Sequence, residues 1–220
     1  MRVYDTASRK LLHDLPGTGA QIRSIAFSKD STLVAAASDV ELLWKVSTGK
    51  KVFQPERFRG VVFAVAFSPD MRTLASATAD RTVHLWELET RQLVTDVQPG
   101  PGALLCLAFS RDGKQILAGG SDRQVHVVDV ESKREIRVLE WHEAPVVSVA
   151  TTPDGKTLVT CAEDGGILIW DLSAGKVTKS FRAHLKRTPA IAISPDGTTL
   201  VSGSWDGTIV FWDLGKLLGR

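Results

Sequence analysis

Cysteine is scarce in this chain: Cys106 and Cys161 are the two in 220 residues, without CxxC spacing or a histidine beside them, which excludes zinc-finger and dithiol redox motifs and implies buried free thiols. No run approaches the roughly 18 to 20 apolar residues that a membrane-spanning helix needs, and the opening MRVYDTASRK lacks the apolar core of a secretory signal. A cytoplasmic chain is the expectation that follows. Charge of one sign is missing too: 27 basic residues stand against 25 acidic ones, and a net charge of +2 gives a field too weak to select nucleic acid or an anionic membrane as partner. Helical periodicity is absent over any useful length. What remains is a chain with 43% hydrophobic and 24% charged residues, enough to bury a core.

What is present is a repeat. The segments LLWKV, HLWEL, HVVDV, LIWDL and VFWDL place Trp44, Trp86, Val128, Trp170 and Trp212 at a constant interval of 42 residues. A second anchor, at Ala26, Ala66, Ala108, Ala150 and Ala192, keeps the same interval except for a first step of 40. The first unit is therefore short, and the deficit is assigned to its turns, SKDST against SPDMRT and SDVE against ADRTVH. Each unit reads as four short β-rich runs broken by turn-forming clusters; in the second these are VVFAVAF, TLASATA, VHLWEL and RQLVTDV. Four strands in about 40 to 45 residues is the length of a propeller blade. Small residues at Ser24, Ala64, Cys106, Ser148 and Ala190 alternate with Ile25, Val65, Leu107, Val149 and Ile191, the taper expected of innermost strands converging on an axis.

At FSPD, AEDGGILIWDL and SGSWDGTIVFWDL the sequence resembles the WD-repeat (tryptophan-aspartate) β-propeller family, over essentially its whole length. The expected fold is all-β: a β-propeller of five four-stranded antiparallel blades, or an open five-blade fragment of a larger one. A single domain over 1–220 is expected, with units at about 17–55, 57–97, 99–139, 141–181 and 183–220. Residues 1–16 are expected to close the ring, Arg9 to Leu15 supplying an outer strand beside Thr208 to Asp213. RVYD before them looks like the end of another unit's third strand, which instead suggests an open array.

The resemblance implies a hydrogen-bonded tetrad of Trp, Ser or Thr, Asp and His within a blade. Trp212, Ser202, Asp206 and His184 match it in the fifth unit, and Trp170, Thr160, Asp164 and His142 in the fourth. The second unit has Phe58 at the His position, and the first has Ala35 at the hydroxyl position. The third, with Val128, Ala118 and Gly100, retains Asp122 alone and is expected to be the loosest. A triplet that recurs 42 residues apart with a Trp each time is a blade-building motif rather than a hydrolase triad. His84 and His126, at equivalent third-strand positions, lack the companions a zinc site needs. The basic pairs Arg57 with Arg59, Lys133 with Arg134 and Lys186 with Arg187 are too short for a phosphate-tracking stripe.

The function that follows is a non-catalytic protein-interaction scaffold without metal or cofactor, with self-association if the ring is incomplete. In the family, partners dock on the face carrying the loop before strand one and the turn between strands two and three. The resemblance maps this face onto Arg23, Val61, Phe63, Leu105, Val147, Glu163, Arg187, Pro189 and Trp205, with Trp205 and Arg187 at its centre.

Overall fold

The computed structural model describes residues 1–55 and 60–219. Strands β1 (Arg2–Tyr4) and β2 (Leu11–Asp14) form a small sheet of their own. Next come β3 (Ser24–Phe27), β4 (Leu33–Ala37), β5 (Glu41–Lys45) and β6 (Lys50–Phe53), one antiparallel sheet in sequence order. The second sheet holds β7 (Val62–Phe67), β8 (Thr73–Thr78), β9 (Val83–Glu87) and β10 (Leu93–Val97). The third holds β11 (Leu104–Phe109), β12 (Gln115–Gly120), β13 (Gln124–Asp129) and β14 (Arg134–Glu140). The fourth holds β15 (Val146–Thr151), β16 (Thr157–Ala162), β17 (Gly166–Asp171) and β18 (Lys176–Arg182). The last comprises β19 (Ala190–Ile193), β20 (Thr199–Gly203) and β21 (Ile209–Asp213), followed by the short helix α1 (Leu214–Leu217). Inner strands β3, β7, β11, β15 and β19 pack each against the next, so the five sheets radiate from one axis as the blades of a five-bladed β-propeller.

A blade between two neighbours must be apolar on both faces, and every residue of β16 is buried. The faces interlock small against large: Ala35, Ala37 and Leu43 of the first blade meet Val65, Leu74 and Trp86 of the second in one cluster. Cys106 and Cys161 are buried in such interfaces, and burial pushes the Cys106 thiol up to about 12, leaving both as inert core residues.

One local device starts every blade. The hydroxyls of Ser28, Ser68, Ser110, Thr152 and Ser194 each donate to the Asp two residues on and accept the backbone N–H five residues on. The Ser/Thr-x-Asp triplet thus closes the turn between first and second strands without tertiary help. Its third turn position is left-handed in all five units, occupied by Ser31, Met71, Gly113, Gly155 and Gly197, with φ between 59° and 73°.

Two expectations are corrected. The deficit of the first unit lies wholly in the turn between its second and third strands, since the first turn matches its siblings bond for bond and Ser38 to Val40 alone link β4 to β5. Residues 9–15 do not complete the fifth blade. β2 pairs with β1, Val3 opposite His13 and Arg2 opposite Asp14, so the adjacent segment RVYD, not β21, takes it up. Among the described residues β21 pairs with β20 alone, and its Ile209 and Phe211 are 68% and 73% exposed where Ile167 and Ile169 of the fourth blade are fully buried.

Candidate functional site

The blade networks come first, because they hold the loops that form the candidate face. In the fifth blade the Trp212 indole N–H donates to Ser202 Oγ (2.9 Å), which lies 2.8 Å from His184 Nε2. His184 Nδ1 faces Thr208 Oγ1 at 3.0 Å and Asp206 Oδ2 at 3.3 Å. The four residues named from the sequence are brought together, with Thr208 as a fifth. The chain of donors is consistent when Ser202 accepts from the indole and donates to Nε2, leaving the Nδ1 proton for Asp206. Hydrogen bonding, led by the Thr208 hydroxyl, holds the Asp206 carboxyl down at about 2.

The fourth blade repeats the core of this arrangement: Trp170 Nε1 donates to Thr160 Oγ1 (2.9 Å), itself 2.7 Å from His142 Nε2. Asp164 accepts from the Gly166 N–H and acts on His142 through its charge alone. Burial outweighs that charge and holds the imidazole down at about 4, so His142 is neutral at physiological pH.

The other three blades depart from the sequence reading. In the second, the Ser76 hydroxyl donates across the blade gap to the buried carboxylate of Glu41 in β5. Phe58, Arg57 and Arg59 lie outside the described residues. In the first, register sets Leu42 opposite Ala36, as His84 is set opposite Ser76 and Leu168 opposite Thr160. The hydroxyl position is therefore Ala36, not Ala35, and the fully buried Trp44 indole N–H has no hydrogen-bond partner among the described residues.

The third blade is not a blade without a network. His126 of β13 is 1% exposed, with Nε2 3.0 Å from Asp122 Oδ2 and Nδ1 at an ion-pair distance of 3.5 Å from Glu135 Oε2. Gly100, at the position of the absent loop histidine, makes the space: a Cβ there would stand 2.3 Å from His126 Cε1. His84, its counterpart in β9, is likewise buried and shares charge interaction with Asp80. Spacing from Asp122 was the available signal, since a fourth residue along from a turn Asp points back at it in a tight hairpin.

On the candidate face, the loop before strand one and the turn after strand two are tied together by the backbone. Ala79 N–H donates to Val61 O, Ser121 to Ala103, Glu163 to Pro145 and Trp205 to Arg187, all at 2.8 to 3.0 Å. The two mapped positions of each of these blades are therefore adjacent by construction. Glu163, Arg187 and Trp205 form one cluster: Arg187 Nη2 is 3.3 Å from Glu163 Oε1, and its guanidinium carbon lies 5.0 Å from the centre of the Trp205 ring. Trp205 is 65% exposed. Arg23 covers Phe63 in the same way, at 5.7 Å. Val61 and Phe63 are half-buried and Pro189 is exposed. Val147 is buried with Leu105 against it, so this pair forms the wall beneath the face rather than its surface. Among the described residues no helix is long and apolar enough to cross a membrane, and no cluster of three or more His, Cys, Asp or Glu is placed to hold a metal.

Comparison with known proteins agrees with this architecture. The model of the WD domain, G-beta repeat, matches five times, at residues 9–39, 51–87, 93–129, 133–171 and 175–213. The chain is also similar to Autophagy-related protein 18 of Meyerozyma guilliermondii, 36% identical over 87 residues. That match covers 37% of this chain and 15% of the relative, so the chain spans a small part of that protein's length. Five in-register family matches, on five radiating antiparallel sheets, show that this chain belongs to the WD-repeat (WD domain, G-beta repeat) family.

Proposed function

We propose that the chain is a non-catalytic scaffold that binds a protein or peptide on the face centred on Trp205 and Arg187. The observation that carries this reading is the exposed indole itself. An aromatic ring of this size left 65% open to water, with a guanidinium stacked on it and a carboxylate holding that guanidinium, has the composition and pre-organisation of an interface hot spot. The sibling units carry Ser38, Ala79, Ser121 and Glu163 at this position, so the blade itself does not need an indole there. The histidine networks support a scaffold rather than an enzyme. Each hydroxyl that a hydrolase would need exposed is a buried link between an indole and an imidazole, with Thr160 and Ser202 fully buried.

Peptides selected from a random library on the immobilised protein test this reading. The double variant Trp205→Ala/Arg187→Ala should lose at least tenfold in affinity for them while its thermal melt stays within about 1 kcal/mol of the parent, as for exposed positions. Unchanged binding by the double variant would move the docking surface elsewhere.

A further inference from the structure

Residues 1–15 reproduce the outer half of a blade. Tyr4 lies opposite Leu11 and Val3 opposite His13 across a register shift, as Trp86 lies opposite Leu93 and Leu85 opposite Thr95. The turn is the same as well. Arg9, at φ 57°, donates its N–H to Asp5 O, as Lys133, at φ 58°, does to Asp129 O. The N–H groups of Ser8 and Ser132 donate to the carboxylates of those same aspartates. β1 and β2 are thus third and fourth strands, and among the described residues no second strand pairs with the inner edge of β1.

This half-blade is already seated on its neighbour, Val3 and Leu15 packing with Val34, Leu42 and Trp44. The inner part of the same face is bare: Ile25 and Phe27 of β3 are 56% and 50% exposed. Their counterparts to Ile25 in the next three blades, Val65, Leu107 and Val149, are 4%, 8% and 9% exposed. What covers them is the second strand of the preceding blade, Ala35 and Ala37 for Val65, Ala75 and Ala77 for Leu107. One missing strand therefore accounts for both the unpaired edge of β1 and the two exposed apolar side chains.

We propose that this face accepts a β-hairpin from another polypeptide. Its second strand would pair antiparallel with β1 and lay small apolar residues over Ile25 and Phe27, while its first strand would line the axis. The surface continues the interface already formed by β1 and β2 on the first blade, and the small side chains are dictated by the alanines that do this work elsewhere. A second copy of this chain is not the donor, because each of its first and second strands is already hydrogen-bonded within its own sheet.

The test uses the full chain and a fluorescein-labelled peptide with the sequence of residues 145–163, the first and second strands of the fourth blade, carrying Cys161→Ala to prevent oxidation. Saturable one-to-one binding by anisotropy is expected, with slowed amide hydrogen exchange in residues 1–8. Ile25→Asp/Phe27→Asp should weaken it at least tenfold without changing the thermal melt, and Phe211→Asp, on the opposite end of the array, should leave it unchanged. Absence of saturable binding, or binding that survives Ile25→Asp/Phe27→Asp, overturns the proposal. Loss in Phe211→Asp instead would assign the peptide to the free edge of β21 and overturn it equally.

Discussion

His126 and Asp122 are partners: the imidazole Nε2 lies 3.0 Å from the carboxylate Oδ2, both side chains nearly buried, in space that Gly100 leaves open. The third blade has therefore exchanged a loop histidine for a strand histidine while keeping a histidine–carboxylate link. Asp122→Ala is expected to destabilise the fold about as much as Asp206→Ala, since each strands a buried imidazole. Gly100→Ala should cost about 2 kcal/mol or more, because its Cβ would overlap the ring. Urea titrations of the three variants decide it; a harmless Gly100→Ala would show that His126 does not need that space.

Trp44 offers the opposite experiment, a gain. Its indole N–H lacks the hydroxyl that Thr160 and Ser202 provide to Trp170 and Trp212 at 2.9 Å. Ala36→Ser should supply one and stabilise the protein by about 1 kcal/mol. Ala35→Ser is the control: Ala35 belongs to the cluster on the other face of the strand, and a serine there buries an unpaired hydroxyl and destabilises. If both variants behave alike in denaturant, the register-based alignment is wrong.

His142 couples stability to pH. Its folded value of about 4 lies below the ordinary 6.5, so the unfolded chain takes up a proton that the folded chain refuses. Stability present at neutral pH is consequently lost as pH falls from about 6.5 towards 4. The expected loss from this group between pH 7 and pH 5 is about 1 to 2 kcal/mol, allowing for its partial exposure. His142→Gln should flatten the dependence of the urea midpoint over that interval; parallel curves for parent and variant would remove His142 as the cause.

The first turns provide a matched pair. Ser31 is exposed and held at φ 59°, and Gly113 sits at φ 73° in the same turn position. Ser31→Gly should raise stability by about 0.5 to 1 kcal/mol by relieving the left-handed backbone. Gly113→Ser should lower it by a similar amount, its Cβ also meeting Pro69 Cδ at 3.3 Å. Melting temperatures moving in opposite directions are the expected result, and a shift of the same sign in both would refute the turn argument.

How much of this was legible in the residues depends on the range of the interaction involved. The interval of 42, the four strands per unit and the Ser/Thr-x-Asp turns are matters of neighbours within a hairpin, so the sequence by itself determined the blades, their faces and the two histidine networks at Thr160 and Ser202. Tertiary structure alone decided which edges meet. Arg9 to Leu15 has the pattern of an outer strand and would suit β21, yet a short turn away β1 offers the same partner geometry, and closing that small loop costs far less entropy than joining the ends of the array. Strand register likewise chose Ala36 over Ala35, which a count along a unit with a shortened turn could not. The place of His126 depended on a void left by Gly100, on a separate loop, and a void has no signature in the residues that fill it.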